Sequence, residues 1–122
     1  MKPLVMVAND DEAVNHALQF ALRLEGAEVC LHEGGAEFLA DPKLPEAACL
    51  VLKYHLVGMD GLEVLRRVRE RGVAAPAIVL TSAATSAMKA RAKAEGVWLL
   101  LEKPVMDDAL VGAVAGLLRE IT

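Results

Sequence analysis

Three polar side chains of this sequence come at or just after the end of a short apolar run, and their types suit the binding of a phosphoryl group. They are Asp10, Thr81 and Lys103. A carboxylate can hold a divalent cation, while a hydroxyl and an ammonium group can contact phosphoryl oxygens. A fourth apolar run, Leu50–Leu52, leads into Lys53, at the place where such a pocket needs a group that accepts the phosphoryl. The identity of Lys53 therefore decides most of the functional interpretation.

The elements that position these side chains alternate five times between a short apolar run and a segment of helical periodicity. Runs that are apolar throughout are typical of strands covered on both faces. Such alternation implies right-handed crossovers and a parallel sheet with helices on both faces, so the polar residues share one crevice at the carboxyl ends of the strands. We predict an α/β fold, a single doubly wound (βα)5 sandwich. The predicted strands are Leu4–Ala8, Ala27–Leu31, Ala48–Leu52, Ala77–Leu80 and Val97–Leu101.

The predicted helices are bounded by residues that favour helix ends. Asp11 caps the first helix, and Gly26 stops it. The other helices are predicted at Gly35–Ala40, around Leu62–Val68, at Ala84–Glu95 and from Asp107 onward. The side chains expected on the outer faces of the third and fourth helices are Arg66, Arg67, Arg69, Glu70, Lys89, Arg91 and Lys93.

Composition indicates one globular domain over residues 1–122, with an apolar fraction of 55% and a net charge of −4. That charge argues against a nucleic-acid surface and gives no attraction to a membrane. No run approaches the roughly 20 apolar residues that span a bilayer, and the first strand begins too close to Met1 for a signal peptide. Cys30 and Cys49 lie in apolar runs and are expected to be buried free thiols. We expect a soluble, cytoplasmic domain.

Four segments resemble the receiver domain of bacterial response regulators, and the resemblance covers the whole chain. They are Val5–Val14, Met59–Leu65, Ile78–Ser82 and Glu102–Pro104, in the order and at the spacings of that family. The resemblance implies the CheY-like, flavodoxin-like fold with sheet order 2-1-3-4-5. In that family two acids after the first strand and an aspartate at the end of the third strand hold Mg²⁺. The latter aspartate accepts a phosphoryl group from a histidine kinase.

The resemblance maps these roles onto residues that depart from the family pattern. The acid pair falls on Asn9 and Asp10, and the phosphoacceptor falls on Lys53. Thr81 and Lys103 match the hydroxyl and the lysine that contact the phosphoryl oxygens. One carboxylate beside two ammonium groups is a poor site for a hard cation, and a lysine amine does not form the mixed anhydride of aspartyl phosphate. We expect Mg²⁺ binding to be weak or lost, no other cofactor or metal, and no aspartyl phosphorylation.

The conformational switch of the family is also altered in this sequence. Leu100 stands where the family has an aromatic residue that turns inward, so no ring can move against Thr81. We expect Lys53 to pair with Asp10 and to lock the switch region. The alternatives are a solvent-facing Lys53 in an unused pocket and a chemically active Lys53. Thr81 is either a relic of the pocket or a helix cap, and Lys103 is expected to line the pocket.

Trp98 and Leu99 stand at the entry of the fifth predicted strand. The resemblance places them beside the surface of helix four, strand five and helix five, where the family dimerises or meets partners. An exposed tryptophan is a frequent interface anchor, whereas a tryptophan beside leucines can extend a core. Both interpretations stay open.

Three functions follow from these observations. The first is a pseudo-receiver, a non-enzymatic signalling domain that contacts a receiver, a histidine kinase or an output domain, or forms a homodimer through the helix four, strand five and helix five face. The second is a receiver whose phosphoacceptor is mutated, or is relocated to Asp10 or Asp11. Such a receiver could be part of a larger regulator with a DNA-binding or enzymatic output. The third is a small flavodoxin-like enzyme using Lys53 and Lys103 on an anionic substrate, which the lack of a glycine-rich loop after strand one disfavours.

Overall fold

Five strands and five helices alternate along the chain, and the computed structural model describes residues 2–102 and 107–121 of it. The strands are β1 (Leu4–Ala8), β2 (Glu28–His32), β3 (Ala47–Lys53), β4 (Ala77–Thr81) and β5 (Leu99–Glu102). The helices are α1 (Glu12–Leu24), α2 (Gly35–Ala40), α3 (Gly61–Glu70), α4 (Ser86–Ala94) and α5 (Asp107–Ile121), and a short 3-10 helix (Leu44–Glu46) precedes β3. The strands are parallel and lie in the order β2-β1-β3-β4-β5, which confirms the predicted doubly wound (βα)5 fold.

The core has one layer on each face of this sheet. On one face, side chains such as Met6 and Leu50 pack with the buried residues of α2, α3 and α4. On the other face, side chains such as Val7 and Val51 pack with those of α1 and α5. Because both faces of β1 and β3 are covered, their sequences are apolar at successive positions instead of alternating. Among the described residues, no helix has the length and apolarity that crossing a membrane requires.

Helix ends follow the predicted chemistry at α1. Asp11 is the N-cap, and its Oδ1 accepts hydrogen bonds from the backbone N–H groups of Ala13 and Val14 at 3.1 and 3.2 Å. Gly26 has a φ of +85°, a conformation that glycine adopts without strain just after a helix.

The fourth helix and the fifth strand are shorter at their N-terminal ends than predicted. Helix α4 starts at Ser86 instead of Ala84, because the hydroxyl of Thr85 accepts the N–H of Met88 and caps the helix. Strand β5 starts at Leu99, because Val97 N–H bonds back to the α4 segment and closes the turn after that helix. At the other end of the sheet, β3 extends to Lys53, which pairs with β4.

The burial of Cys30 and of Arg69 differs from the prediction because of where each residue lies in the fold. Cys49 is buried, but Cys30 is only half-buried because it lies on the edge strand β2. Both thiols are free, and burial raises the pKa of each, that of Cys49 to about 12.

Arg69 was expected to point outward, yet it is half-buried and donates to the carbonyls of Val73 and Ala75 after α3. Burial lowers the pKa of its guanidinium.

Candidate functional site

An ion pair joins the carboxyl ends of the two central strands β1 and β3. Lys53 is the last residue of β3, and Asp10 follows β1. The Lys53 Nζ donates to Asp10 Oδ1 at 2.6 Å, with 23% of the lysine side chain and 44% of the aspartate side chain exposed. This is the contact that the sequence predicts for Lys53, and the solvent-facing alternative does not describe the structure.

The Asn9 side chain, next to Asp10 in the sequence, is buried against α1. It is 1% exposed, and its Nδ2 donates to Asn15 Oδ1 at 3.1 Å. Asn15 Nδ2 in turn donates to the backbone carbonyl of Asn9 at 2.8 Å. Asn9 Oδ1 lies 3.5 Å from the backbone N of Asp11, so the polar atoms of the buried Asn9 amide have partners inside the fold. The role of Asn15 was not predicted, although its place among the buried positions of α1 is a signal that could have pointed to it.

The donor set around Asp10 does not fit the Mg²⁺ ion that the family resemblance implies. An ammonium group contacts the Asp10 carboxylate, the Asn9 amide is buried against Asn15, and an Asp11 oxygen caps α1. A hard divalent cation takes several oxygen ligands, with carboxylates prominent among them. Among the side chains that the structure describes, no group of three or more His, Cys, Asp or Glu residues is placed to hold a metal ion.

Thr81 ends β4 with its hydroxyl held close to its own loop. The residue is 1% exposed, and its Oγ1 lies 3.3 Å from both the N and the O atom of Ala83. The alternative in which Thr81 caps the next helix is wrong, because Thr85 has that role. Lys103, the remaining predicted pocket residue, lies outside the described residues.

The three residues predicted near the switch and the interface differ in burial. Leu100 is partly buried against the core layer of α2, α3 and α4, and Leu99 against the opposite layer. Trp98 is 44% exposed and is among the few large hydrophobic residues on the surface, so the alternative in which it extends the core is wrong.

A second polar contact, between α3 and α4, was not predicted. Arg91 was expected to be exposed, but its Nη1 and Nη2 donate to Asp60 Oδ2 and Oδ1 at 3.0 and 3.1 Å. Asp60 also caps α3 by accepting the N–H of Glu63 at 2.8 Å. The Tyr54 hydroxyl lies 3.4 Å from Arg91 Nη1. These contacts with Asp60 and Tyr54 raise the pKa of the Arg91 guanidinium.

Gly61 fixes the distance between α3 and the end of β3. A Cβ atom at this position would lie 2.4 Å from the carbonyl oxygen of Lys53. The Gly61 N–H donates to the carbonyl of Tyr54 at 2.8 Å. The backbone that carries Lys53 is therefore in direct contact with the start of α3, which only glycine permits.

Comparison with known proteins points to one family. A family model described as a response regulator receiver domain matches residues 5–115. The chain is 35% identical to the transcriptional regulatory protein FixJ of Azorhizobium caulinodans, over 90% of this chain and 52% of FixJ. It is 33% identical to the transcriptional regulatory protein TrcR of Mycobacterium tuberculosis, over 94% of this chain and 45% of TrcR. A CheY-like receiver domain from Methanospirillum hungatei has the same fold, with a TM-score of 0.85 at 22% identity over 98% of this chain and 96% of that one. The chain spans about half the length of these two curated relatives.

Proposed function

We propose that this chain, which belongs to the response regulator receiver family, signals by protein–protein contact without aspartyl phosphorylation. Receiver domains are signalling domains, and the matching family is not a family of enzymes. The proposal treats residues 1–122 as one receiver-type domain. It places the domain in the cytoplasm, which the free thiols of Cys30 and Cys49 favour.

The observation that carries this proposal is the 2.6 Å contact between Lys53 and Asp10. Lys53 stands at the position of the phosphoacceptor, and in this contact its side chain donates to a carboxylate. An ammonium group that donates in an ion pair has no lone pair with which to attack phosphorus. The side chain that replaces the acceptor therefore supports a fixed conformation in place of a chemical step.

The set of donors around Asp10 is the second support for the proposal. Metal ions neutralise the charge that develops on a transferring phosphoryl group. Here the Lys53 ammonium contacts the carboxylate of Asp10, and the amide of Asn9 is turned into the core. A positive side chain in this place repels a divalent cation, so we expect Mg²⁺ to bind weakly or not at all.

The partner in this proposal is a protein: a receiver, a histidine kinase or an output domain. The exposed Trp98, at the entry of β5, supports a contact on the face formed by α4, β5 and α5, and a homodimer through this face is one form of it. The net charge of −4 disfavours nucleic acid as the direct partner of this domain.

A titration of backbone amide shifts with Mg²⁺, followed by Mg²⁺ and beryllofluoride, tests the proposal. Beryllofluoride with Mg²⁺ mimics an aspartyl phosphate. We expect no saturable shifts around Asp10, Lys53 and Thr81. Saturable shifts that spread from this edge of the sheet to α4 would contradict the proposal.

A second candidate function keeps phosphorylation and relocates the acceptor. The Asp10 carboxylate favours it, because 44% of this side chain is exposed at the carboxyl edge of the sheet. This receiver would belong to a regulator with a DNA-binding or enzymatic output, as the names of the transcriptional relatives suggest. In the same titration, saturable shifts in the native chain that disappear in Asp10→Asn would favour this second candidate.

A further inference from the structure

Helix α4 is attached to the body of the protein by few apolar side chains. Its buried residues are Met88 and Ala92, whereas α3 buries five positions along its length. A helix with so little apolar anchorage depends more on polar contacts for its orientation. Glu102 Oε1 supplies one of these contacts by accepting the N–H of Ala84, just before the helix, at 3.1 Å.

A second polar contact is made from the middle of α4 by Arg91. Its guanidinium uses two nitrogens for the two carboxylate oxygens of Asp60, in the forked geometry that gives arginine–carboxylate pairs their directional strength. The hydroxyl of Tyr54 lies beside the same guanidinium. We call these three residues, Asp60, Arg91 and Tyr54, the α4 clamp.

The α4 clamp is built on the backbone that carries Lys53. Tyr54 is the next residue in the chain, and its carbonyl accepts the N–H of Gly61, which follows Asp60. Gly61 in turn lies against the Lys53 carbonyl so closely that a Cβ atom has no room. Both clamp residues that contact Arg91 are therefore attached directly to the backbone around Lys53.

We propose that Arg91 is a positioning residue whose clamp with Asp60 and Tyr54 couples the conformation of the Lys53 segment to the orientation of α4. The inference deepens the proposed function, because α4 and the exposed Trp98 border the face that it assigns to the partner. The family has an aromatic switch residue at the position of Leu100. In this proposal, the ion pair between the β3–α3 connection and α4 takes the place of that switch. Coupling of this kind requires an element whose position both sites influence, and in this proposal α4 is that element.

Amide hydrogen exchange in α4 tests the clamp without any partner. In Arg91→Gln the α4 amides should exchange about fivefold faster, the factor that a partly exposed ion pair supports. Asp60→Asn should have the same effect, since asparagine keeps an oxygen for the N–H of Glu63 and so retains the α3 cap. Lys89→Gln, on the exposed side of α4, is the matched control and should leave these rates unchanged.

Coupling to Lys53 is measured with the fluorescence of Trp98, the single tryptophan of the chain. Lys53→Gln should shift the Trp98 emission in the native background and should have little effect in the Arg91→Gln background. Arg91→Lys keeps the charge but loses the two-nitrogen contact. In the Arg91→Lys background, Lys53→Gln should therefore cause only part of the shift in Trp98 emission that it causes in the native background.

Native exchange rates in α4 of Arg91→Gln, or an equal Trp98 response to Lys53→Gln in both backgrounds, would overturn the inference. The proposed function fails in a different way, through saturable Mg²⁺ and beryllofluoride shifts in the native chain. The two results are independent, because the exchange experiment uses neither ligand.

Discussion

Lys53 Nζ lies 2.6 Å from Asp10 Oδ1, so the last residue of β3 and the loop after β1 are joined by a side-chain ion pair. Our proposal assigns Lys53 and Asp10 to positions at which the receiver family carries carboxylates that share a cation. An internal ammonium group in place of a shared cation keeps the two loops together. In our proposal, it also removes the transfer of a phosphoryl group to an aspartate.

The Lys53–Asp10 pair should contribute a small, salt-dependent stabilisation. Lys53→Met keeps most of the apolar stem and removes the charge, and we expect it to lower the free energy of unfolding by about 0.2–1 kcal/mol, because both side chains are partly exposed. Urea unfolding followed by Trp98 fluorescence measures this, and the difference should shrink in high salt. The control is Lys89→Met, on the surface of α4. An equal loss in that control would argue against a specific role for the pair.

Restoring the family acid at Asn9 should destabilise this protein. In Asn9→Asp a carboxylate oxygen replaces the Nδ2 that donates to Asn15, at a site only 1% exposed. An unpaired buried acceptor costs about 1–3 kcal/mol, and a charged one more. Denaturant unfolding at neutral pH measures the loss. The control is Asp11→Asn, which keeps an oxygen for the α1 cap and should change stability much less. An Asn9→Asp variant as stable as the native chain would show that the hydrogen bond to Asn15 is not required.

Glu63 should make stability fall in acid. Hydrogen bonds from Arg66 and Arg67 lower the pKa of this carboxyl from 4.5 to about 2. A carboxyl with a lowered folded-state pKa stabilises the fold fully above its unfolded pKa, and that stabilisation is lost as the pH falls from about 4.5 through about 2. Unfolding curves for the native chain and Glu63→Gln should differ less at pH 3 than at pH 6, because part of this stabilisation is already lost at pH 3. Parallel behaviour of the two chains over this range would contradict the assignment.

Two glycine-to-alanine changes should act in opposite directions. In Gly61→Ala the new Cβ would meet the Lys53 carbonyl oxygen at 2.4 Å, so the start of α3 must move, and we expect a loss of about 1–3 kcal/mol. In Gly112→Ala, within α5, the Cβ has no neighbour within 4 Å, and alanine should stabilise the helix by about 0.5–1 kcal/mol. Thermal unfolding of both variants measures this. A neutral Gly61→Ala would show that the contact with Lys53 is not tight.

The Cys49 thiol should be inert in the folded protein. It is fully buried, and burial raises its pKa to about 12, so the reactive thiolate is scarce at neutral pH. We expect a thiol reagent to modify Cys49 only at the rate of unfolding, and Cys30 earlier because it is half-buried. Mass spectrometry of the time course distinguishes the two sites. Rapid native-state labelling of Cys49 would contradict the packing of β3.

The fold was predictable because its determinants are local. Apolar runs such as Leu4–Ala8 identify strands that are covered on both faces, and Asp11 and Gly26 identify the ends of α1 by their own backbone chemistry. The pair of Lys53 and Asp10 was also predictable, because parallel strands bring their carboxyl ends to one edge.

The contacts that were missed depend on tertiary geometry. Asp60 and Arg91 are 31 residues apart, and only the packing of α3 beside α4 brings them together. Thr81 and Thr85 are chemically identical candidates for the α4 cap, and the position at which β4 ends decides between them. The inward turn of Asn9 required the position of Asn15 on a helix that packs against the sheet.

Phosphoryl incorporation from a small phosphodonor is the most direct test of the central claim. The native chain is incubated with acetyl phosphate and Mg²⁺, and its intact mass is measured beside that of a receiver with an ordinary acidic pocket as the positive control. We predict that the mass of the native chain stays unchanged while the control gains one phosphoryl group. A stoichiometric gain of one phosphoryl group that is lost in Asp10→Asn or Asp11→Asn would contradict the claim that this domain signals without aspartyl phosphorylation.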